Sequence, residues 1–149
     1  MATQWYQAIH ATKRFRLLTK KTDIAGNVYI YLKGVASLAA GDAVVFDEAG
    51  ATARLSTSTA VAQPVAVAMA ANTAATTFSW FQIYGKATVN CAATVGADAY
   101  LQSSGTAGQV DDLTAAGKTI VGMTSASAGA SNVLTAWLDY PFYPNAALA

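Results

Sequence analysis

A chain of 149 residues has room for one domain with a substantial core and too little for two. Hydrophobic residues make up 54% of it and charged residues only 11%, against a usual charged share of about a quarter. With a net charge of +1, bulk electrostatics gives no reason to expect nucleic acid or a membrane as partner. A surface so poor in charge points instead to broad contact with other protein, the alternative being a small domain covered in Ser and Thr.

The first 26 residues precede any clear strand and read as an N-terminal arm. They hold Trp5, Tyr6, His10 and Phe15 together with Lys13, Arg14, Arg16, Lys20 and Lys21, five of the nine basic residues. The acids all lie downstream, which gives a basic arm on a mildly acidic body. No basic stretch followed by an apolar run opens the chain, so no signal peptide is expected. No run of about 18 apolar residues is present, so no membrane span is expected either, and synthesis in a reducing cytoplasm follows.

From residue 27 the pattern has period two. Val28, Ile30 and Leu32 separate from Tyr29 and Tyr31, and Val65, Val67 and Met69 separate from Ala66, Ala68 and Ala70. Residues 77–84 and 133–140 are rich in the aromatic and branched side chains that strands favour. Turn residues divide these runs at 40–42, 48–50, 103–105 and 116–118. Residues 70–76 and 112–116 are Ala-rich enough to hold a helical turn, but a sustained period of 3.6 is absent. The expected fold is all-β: a small barrel or sandwich.

The chain also repeats itself at a period of about 55 residues. Tyr31-Leu32-Lys33 returns as Tyr84-Gly85-Lys86, Gly41-Asp42-Ala43 as Ala97-Asp98-Ala99, Gly50 as Gly105, and Val67-Ala68-Met69 as Val121-Gly122-Met123. The body at 27–140 therefore reads as two pseudo-repeats, about 31–84 and 84–140, that could pair their open edges. Beyond it, residues 141–149 form a tail in which Pro141, Phe142, Tyr143 and Pro144 alternate aromatic and proline, a composition that holds the backbone extended.

Residues able to do covalent or acid-base chemistry are scarce. His10 is the single histidine and has no carboxylate near it in sequence to orient it. Cys91, the single cysteine, excludes an internal disulfide and a cysteine-built zinc site, and it sits in an apolar stretch that suits a buried side chain. Asp47-Glu48 and Asp111-Asp112 are adjacent acids that a strand would point to opposite faces. Gly117-Lys118-Thr119 resembles the end of a phosphate loop, but the first glycine is missing and a strand follows where a helix must open. No catalytic, cofactor or metal site is expected. The candidate contact residues are Trp5, Tyr6, Lys13, Arg14, Phe15 and Arg16 in the arm, and Pro141, Phe142 and Tyr143 in the tail. Both ends could instead fold back on their own body. Lys13 to Arg16 could also pair phosphates and stack a base, although acidic protein suits the same residues through arginine contacts.

The twice-used pattern of a Gly-Asp turn, a strand, a glycine and a Val-x-Met strand spans residues 35–69 and again 92–123. It resembles the small β-rich decoration, or cement, proteins of tailed-phage capsids. The resemblance implies a β-barrel-like body on the outside of an icosahedral shell, bound to the major capsid protein and to itself, with a homotrimer favoured. It implies a virion protein that bridges neighbouring capsomers; the scarcity of reactive residues separately argues against an enzyme. The Ala97-Asp98 of the second copy departs from the pattern, and the pattern explains neither the arm nor the tail. Other readings are a head-fibre base, a tail or spike module, or a carbohydrate-binding barrel that uses Trp80 or Trp137 as a sugar platform.

Overall fold

The computed structural model describes residues 4–112 and 116–144. Among these residues a 3-10 turn (Trp5–Gln7) is followed only by strands: β1 (Ile9–His10), β2 (Lys20–Thr22), β3 (Val28–Lys33), β4 (Ala43–Phe46), β5 (Thr52–Arg54), β6 (Gln63–Ala68), β7 (Phe78–Asn90), β8 (Tyr100–Ser103), β9 (Val110–Asp111), β10 (Thr119–Ser125) and β11 (Val133–Tyr143). The fold is all-β, as the period-two pattern indicates. The sheet runs β2-β3-β7-β6-β11-β10-β8-β9, with β1 added to β7 and the β4–β5 hairpin added to β6. Its end strands do not pair with each other, so the sheet stays open and the molecule is sandwich-like rather than a closed barrel.

Two long strands hold the layers together by bending. β7 pairs with β3 over its first half and with β11 from Tyr84 onward, and the change falls at Gly85, whose φ is +99°. Only glycine enters that region at little cost, and a Cβ at Gly85 would also meet the Asn27 side chain. In β11 the break falls at Tyr140, with φ of +47°.

Alternation along β4 and β6 accounts for the core. Val44, Phe46, Ala66 and Ala68 face one cluster with Ile30 and Leu32 of β3 and Phe81 and Ile83 of β7. Ala43, Val45, Val65 and Val67 face the other, with Val89, Leu101, Ile120, Met123, Leu134 and Leu138. The β4–β6 layer is thus buried on both sides and shared by two cores, which is why its sequence is apolar at nearly every position. Each fully buried Val or Leu contributes about 1.5–3 kcal/mol. On the outer side of β3 and β7, Tyr29, Tyr31 and Trp80 form a third cluster.

The pseudo-repeat is visible in the pairing. β3–β7, β4–β5, β4–β6 and β6–β7 recur as β7–β11, β8–β9, β8–β10 and β10–β11. β7 closes the first unit and opens the second. Two of the expected correspondences shift. The left-handed residue two places before β4 is Gly41 (φ +88°), and its counterpart two places before β8 is Asp98 (φ +56°), not Ala97. The turn glycine before β5 is Gly50 (φ +78°), and its counterpart before β9 is Gly108 (φ +87°), not Gly105. A short polar side chain tolerates the left-handed region, so Asp98 can stand where the first unit has glycine.

The expected boundaries also move. β2 pairs with β3 from Lys20 to Thr22, so the body begins inside the segment read as an arm. β11 runs on to Tyr143, so residues 141–143 are sheet rather than tail; residues 145–149 lie outside the described residues. Residues 70–76 form a loop, not a helical turn. Buried Asn72 organises it, bonding Thr77 and donating to Ser79 Oγ at 2.9 Å. The second possible helical turn, at 112–116, falls largely outside the described residues.

Candidate contact surface

The segment before β2 lies on its own body. The Trp5 ring packs edge-on against Tyr29 at 5.2 Å and Trp80 at 5.3 Å, and Tyr6 stacks on Tyr29 at 4.7 Å. These two residues, expected to reach a neighbour, are the lid over the third cluster, because a sheet face carrying Tyr29, Tyr31 and Trp80 needs an apolar cover. Trp80 is consequently 1% exposed and offers no platform to a sugar. His10 Nδ1 lies 2.7 Å from Tyr31 Oη, which also accepts from the Arg14 backbone N–H at 3.3 Å. Which of the two donates is set by the imidazole tautomer. Burial, with Arg14 beside it, holds the His10 pKa below its ordinary value. Its ring is therefore bonded to a phenol rather than oriented by a carboxylate.

Phe15 is at the surface, against Tyr31 and Trp80 at 5.3 and 5.2 Å. Lys21 reaches over Trp5 at 4.6 Å and so helps to pin the segment down. Lys13, Arg14 and Arg16 are exposed. Among the described residues the ion pair formed is Arg54–Asp42, at 3.2 Å, so the basic segment meets no carboxylate there.

At the other end of the chain one of the three expected contact residues is available. The left-handed turn at Tyr140 shifts the alternation of β11 by one place and sends Pro141 and Tyr143 inward. Tyr143 is fully buried with its hydroxyl 3.1 Å from Ser103 Oγ. Phe142 remains outside, 41% exposed and opposite Val121.

A broader surface was not anticipated as a unit. Of the eleven exposed large hydrophobic side chains among the described residues, seven lie on β7, β8, β10 and β11: Tyr84, Tyr100, Val121, Val133, Trp137, Tyr140 and Phe142. The register sets two of them, Trp137 and Tyr100, in one row. Lys86 pairs with Trp137, Trp137 with Thr124 and Thr124 with Tyr100, which forms a row across four strands. Lys86 Nζ stands 5.2 Å over the Trp137 ring, and the Tyr84 and Tyr140 rings are 5.3 Å apart. Lys20 Nζ lies 5.9 Å from the Tyr140 ring and joins this face to the basic segment. The signal in the sequence was the outward half of an alternating strand, and only a pairing register could show that four such halves coincide.

Cys91 is buried, and burial, with Asp111 and Asp112 nearby, pushes its thiol pKa up. Asp47 accepts the Ala49 and Ala51 N–H groups in the β4–β5 turn, and Asp112 accepts the Gly96 N–H. Among the described residues no three His, Cys, Asp or Glu side chains gather as a metal site, and no helix is long and apolar enough to cross a membrane.

No protein-family model matches the chain, and no curated protein matches it in sequence. A solved structure of the capsid of Myoviridae phage XM1 contains a chain of similar fold, with a TM-score of 0.55 and 16% identity, aligned over 86% of this chain and 94% of that one. At that identity the likeness establishes a shared fold: this chain is built like a chain of a phage capsid.

Proposed function

We propose that the protein is a virion structural component that binds the outer surface of an icosahedral phage capsid as a homo-oligomer, a trimer favoured, and stabilises the shell by bridging neighbouring capsomers. The observation that carries this reading is the set of seven exposed apolar side chains on β7, β8, β10 and β11, adjoining a basic segment that meets no carboxylate among the described residues. A face of this kind is costly to leave in water and suits burial against protein. The likeness in fold to a chain of a phage capsid supports this reading. Binding only to the assembled shell would stabilise it by mass action, and many modest contacts on one lattice add up.

The test is cosedimentation with emptied, expanded heads built from the major capsid protein of the same genome, followed by electron microscopy and native mass spectrometry. Saturable binding to the outer shell by an oligomer is expected. Reversing Lys13, Arg14 and Arg16 to Glu should weaken it, because their charges meet no acid among the described residues. A monomer that leaves the heads bare would overturn the proposal, and density at a tail or fibre would move the protein elsewhere in the virion. A carbohydrate platform is the weaker reading. Trp137 is 53% exposed, but Lys86 stands over the ring face on which a sugar would stack.

A further inference from the structure

An open apolar groove of about 420 Å³ lies where β3, β6 and β11 meet, next to the exposed face. Ile30, Phe46, Pro64 and Ile83 line it, and Lys20 and Tyr140 stand at the end nearest that face. At the opposite end Phe46 and Pro64 continue into a hollow bordered by Asp47 and Glu48. The groove therefore has a cationic end and an anionic end joined by an apolar floor. Beyond the cationic end the row Lys86–Trp137–Thr124–Tyr100 carries a second lysine, and Asp139 is the acid on that face.

Two tryptophans of the long strands differ in their cover. Trp80 of β7 lies opposite Tyr31 of β3, and Trp137 of β11 lies opposite Lys86 of β7. The chain's own short segment with Trp5 and Tyr6 covers Trp80. No described segment covers Trp137, which remains 53% exposed.

We infer that this groove and the Trp137 row form the docking site for an extended segment of the capsid protein. That segment would insert one apolar side chain over Ile30, Phe46 and Ile83 and set carboxylates against Lys20 and Lys86. The inference rests on the functional reading above and names the surface through which it operates. The charge pattern selects this occupant: an acidic flank meets two lysines that have no carboxylate partner, while the Asp47–Glu48 end disfavours acid at the segment's other end.

The experiment measures binding to the same expanded heads for the wild type, the double variant K20E/K86E, W137A and Y140N. Asparagine is chosen at Tyr140 because it tolerates the left-handed backbone there. A photo-reactive side chain at position 140 identifies the bound peptide by mass spectrometry, and thermal melting checks the fold of each variant. Binding by K20E/K86E weaker by about tenfold or more, with unchanged melting and cross-links to one capsid-protein segment, is the expected result. Equal binding by wild type and all variants would overturn the docking site while leaving the functional reading intact. Cross-links to another copy of this chain, with oligomers lost in the variants, would make the face a self-interface and overturn the inference. Failure of the wild type to bind heads would remove the functional reading itself, and the inference with it.

Discussion

Asp42 shows how one residue of the Gly-Asp turn joins the two units. Its side chain is 4% exposed, accepts the Ala39 N–H at 3.0 Å and Arg54 Nε at 3.2 Å, and receives Asn90 Nδ2 at 2.9 Å. Arg54 in turn donates to the Ala107 carbonyl at 2.8 Å. Gly108 lies directly against the carboxylate, where an added Cβ would stand 2.5 Å from Asp42 Cγ. Replacing Asp42 by Ala strips these donors of a buried acceptor and leaves Arg54 without its counter-ion. The loss should be about 2–4 kcal/mol, at the lower end of what a fully buried pair costs because Arg54 is partly exposed. Gly108→Ala should cost about 2 kcal/mol or more, since it adds a left-handed penalty to the clash. Urea unfolding measures both, and an Asp42→Ala loss below about 1 kcal/mol would show that the turn holds without its carboxylate.

At the scale of the element, the N-terminal segment is a cover held by few strong links. β1 contributes two residue pairs to β7, and beyond it the attachment comes from Trp5, Tyr6, Phe15, Lys21, the His10–Tyr31 contact and the Arg14 N–H bond to Tyr31. Because the folded-state pKa of His10 lies below its ordinary value of 6.5, the unfolded form takes up a proton first. The stabilisation is complete above that value and is lost as pH falls towards the folded-state pKa. A protonated ring is disfavoured by burial and repelled by Arg14. As pH falls below 6.5 the segment should loosen progressively, with faster tryptic cleavage after Lys13, Arg14 and Arg16 and a shift in tryptophan emission. A His10→Gln variant, which keeps an acceptor but does not titrate, should lose the pH dependence; an unchanged pH profile in that variant would assign the effect to another group. Period two made β3, β6, β7 and β11 legible in the sequence, and ordered matches revealed the repeat. β1 and β2 were not legible, since strands of two and three residues carry no period. The fate of Pro141 and Tyr143 was hidden for a different reason: one left-handed residue at Tyr140 inverts which side chains face inward, and tyrosine gives no warning of it. The contact face was equally hidden because its members are spread over four strands.

For the whole molecule, the shared β4–β6 layer decides whether the two pseudo-repeats are independent. In many duplicated folds each unit buries its own core and could stand alone. Here Val44, Phe46, Ala66 and Ala68 belong to one core while Ala43, Val45, Val65 and Val67, on the same strands, belong to the other. β7 likewise supplies Phe81 and Ile83 to the first and Ala87 and Val89 to the second. Removing residues 93–149 would strip Leu101, Ile120, Met123, Leu134 and Leu138 from the second core and expose the inner face of β4 and β6. Each uncovered Val would forfeit about 1.5–3 kcal/mol, and the sum over the face is comparable with the whole stability of a small domain, about 5–15 kcal/mol. The intact chain should therefore unfold in a single calorimetric transition whose van 't Hoff and calorimetric enthalpies agree. A fragment of residues 1–92 should aggregate or give an undispersed NMR spectrum. Two separable transitions, or a folded fragment, would mean that the first unit closes its own core and that the shared layer is a contact between domains rather than the centre of one.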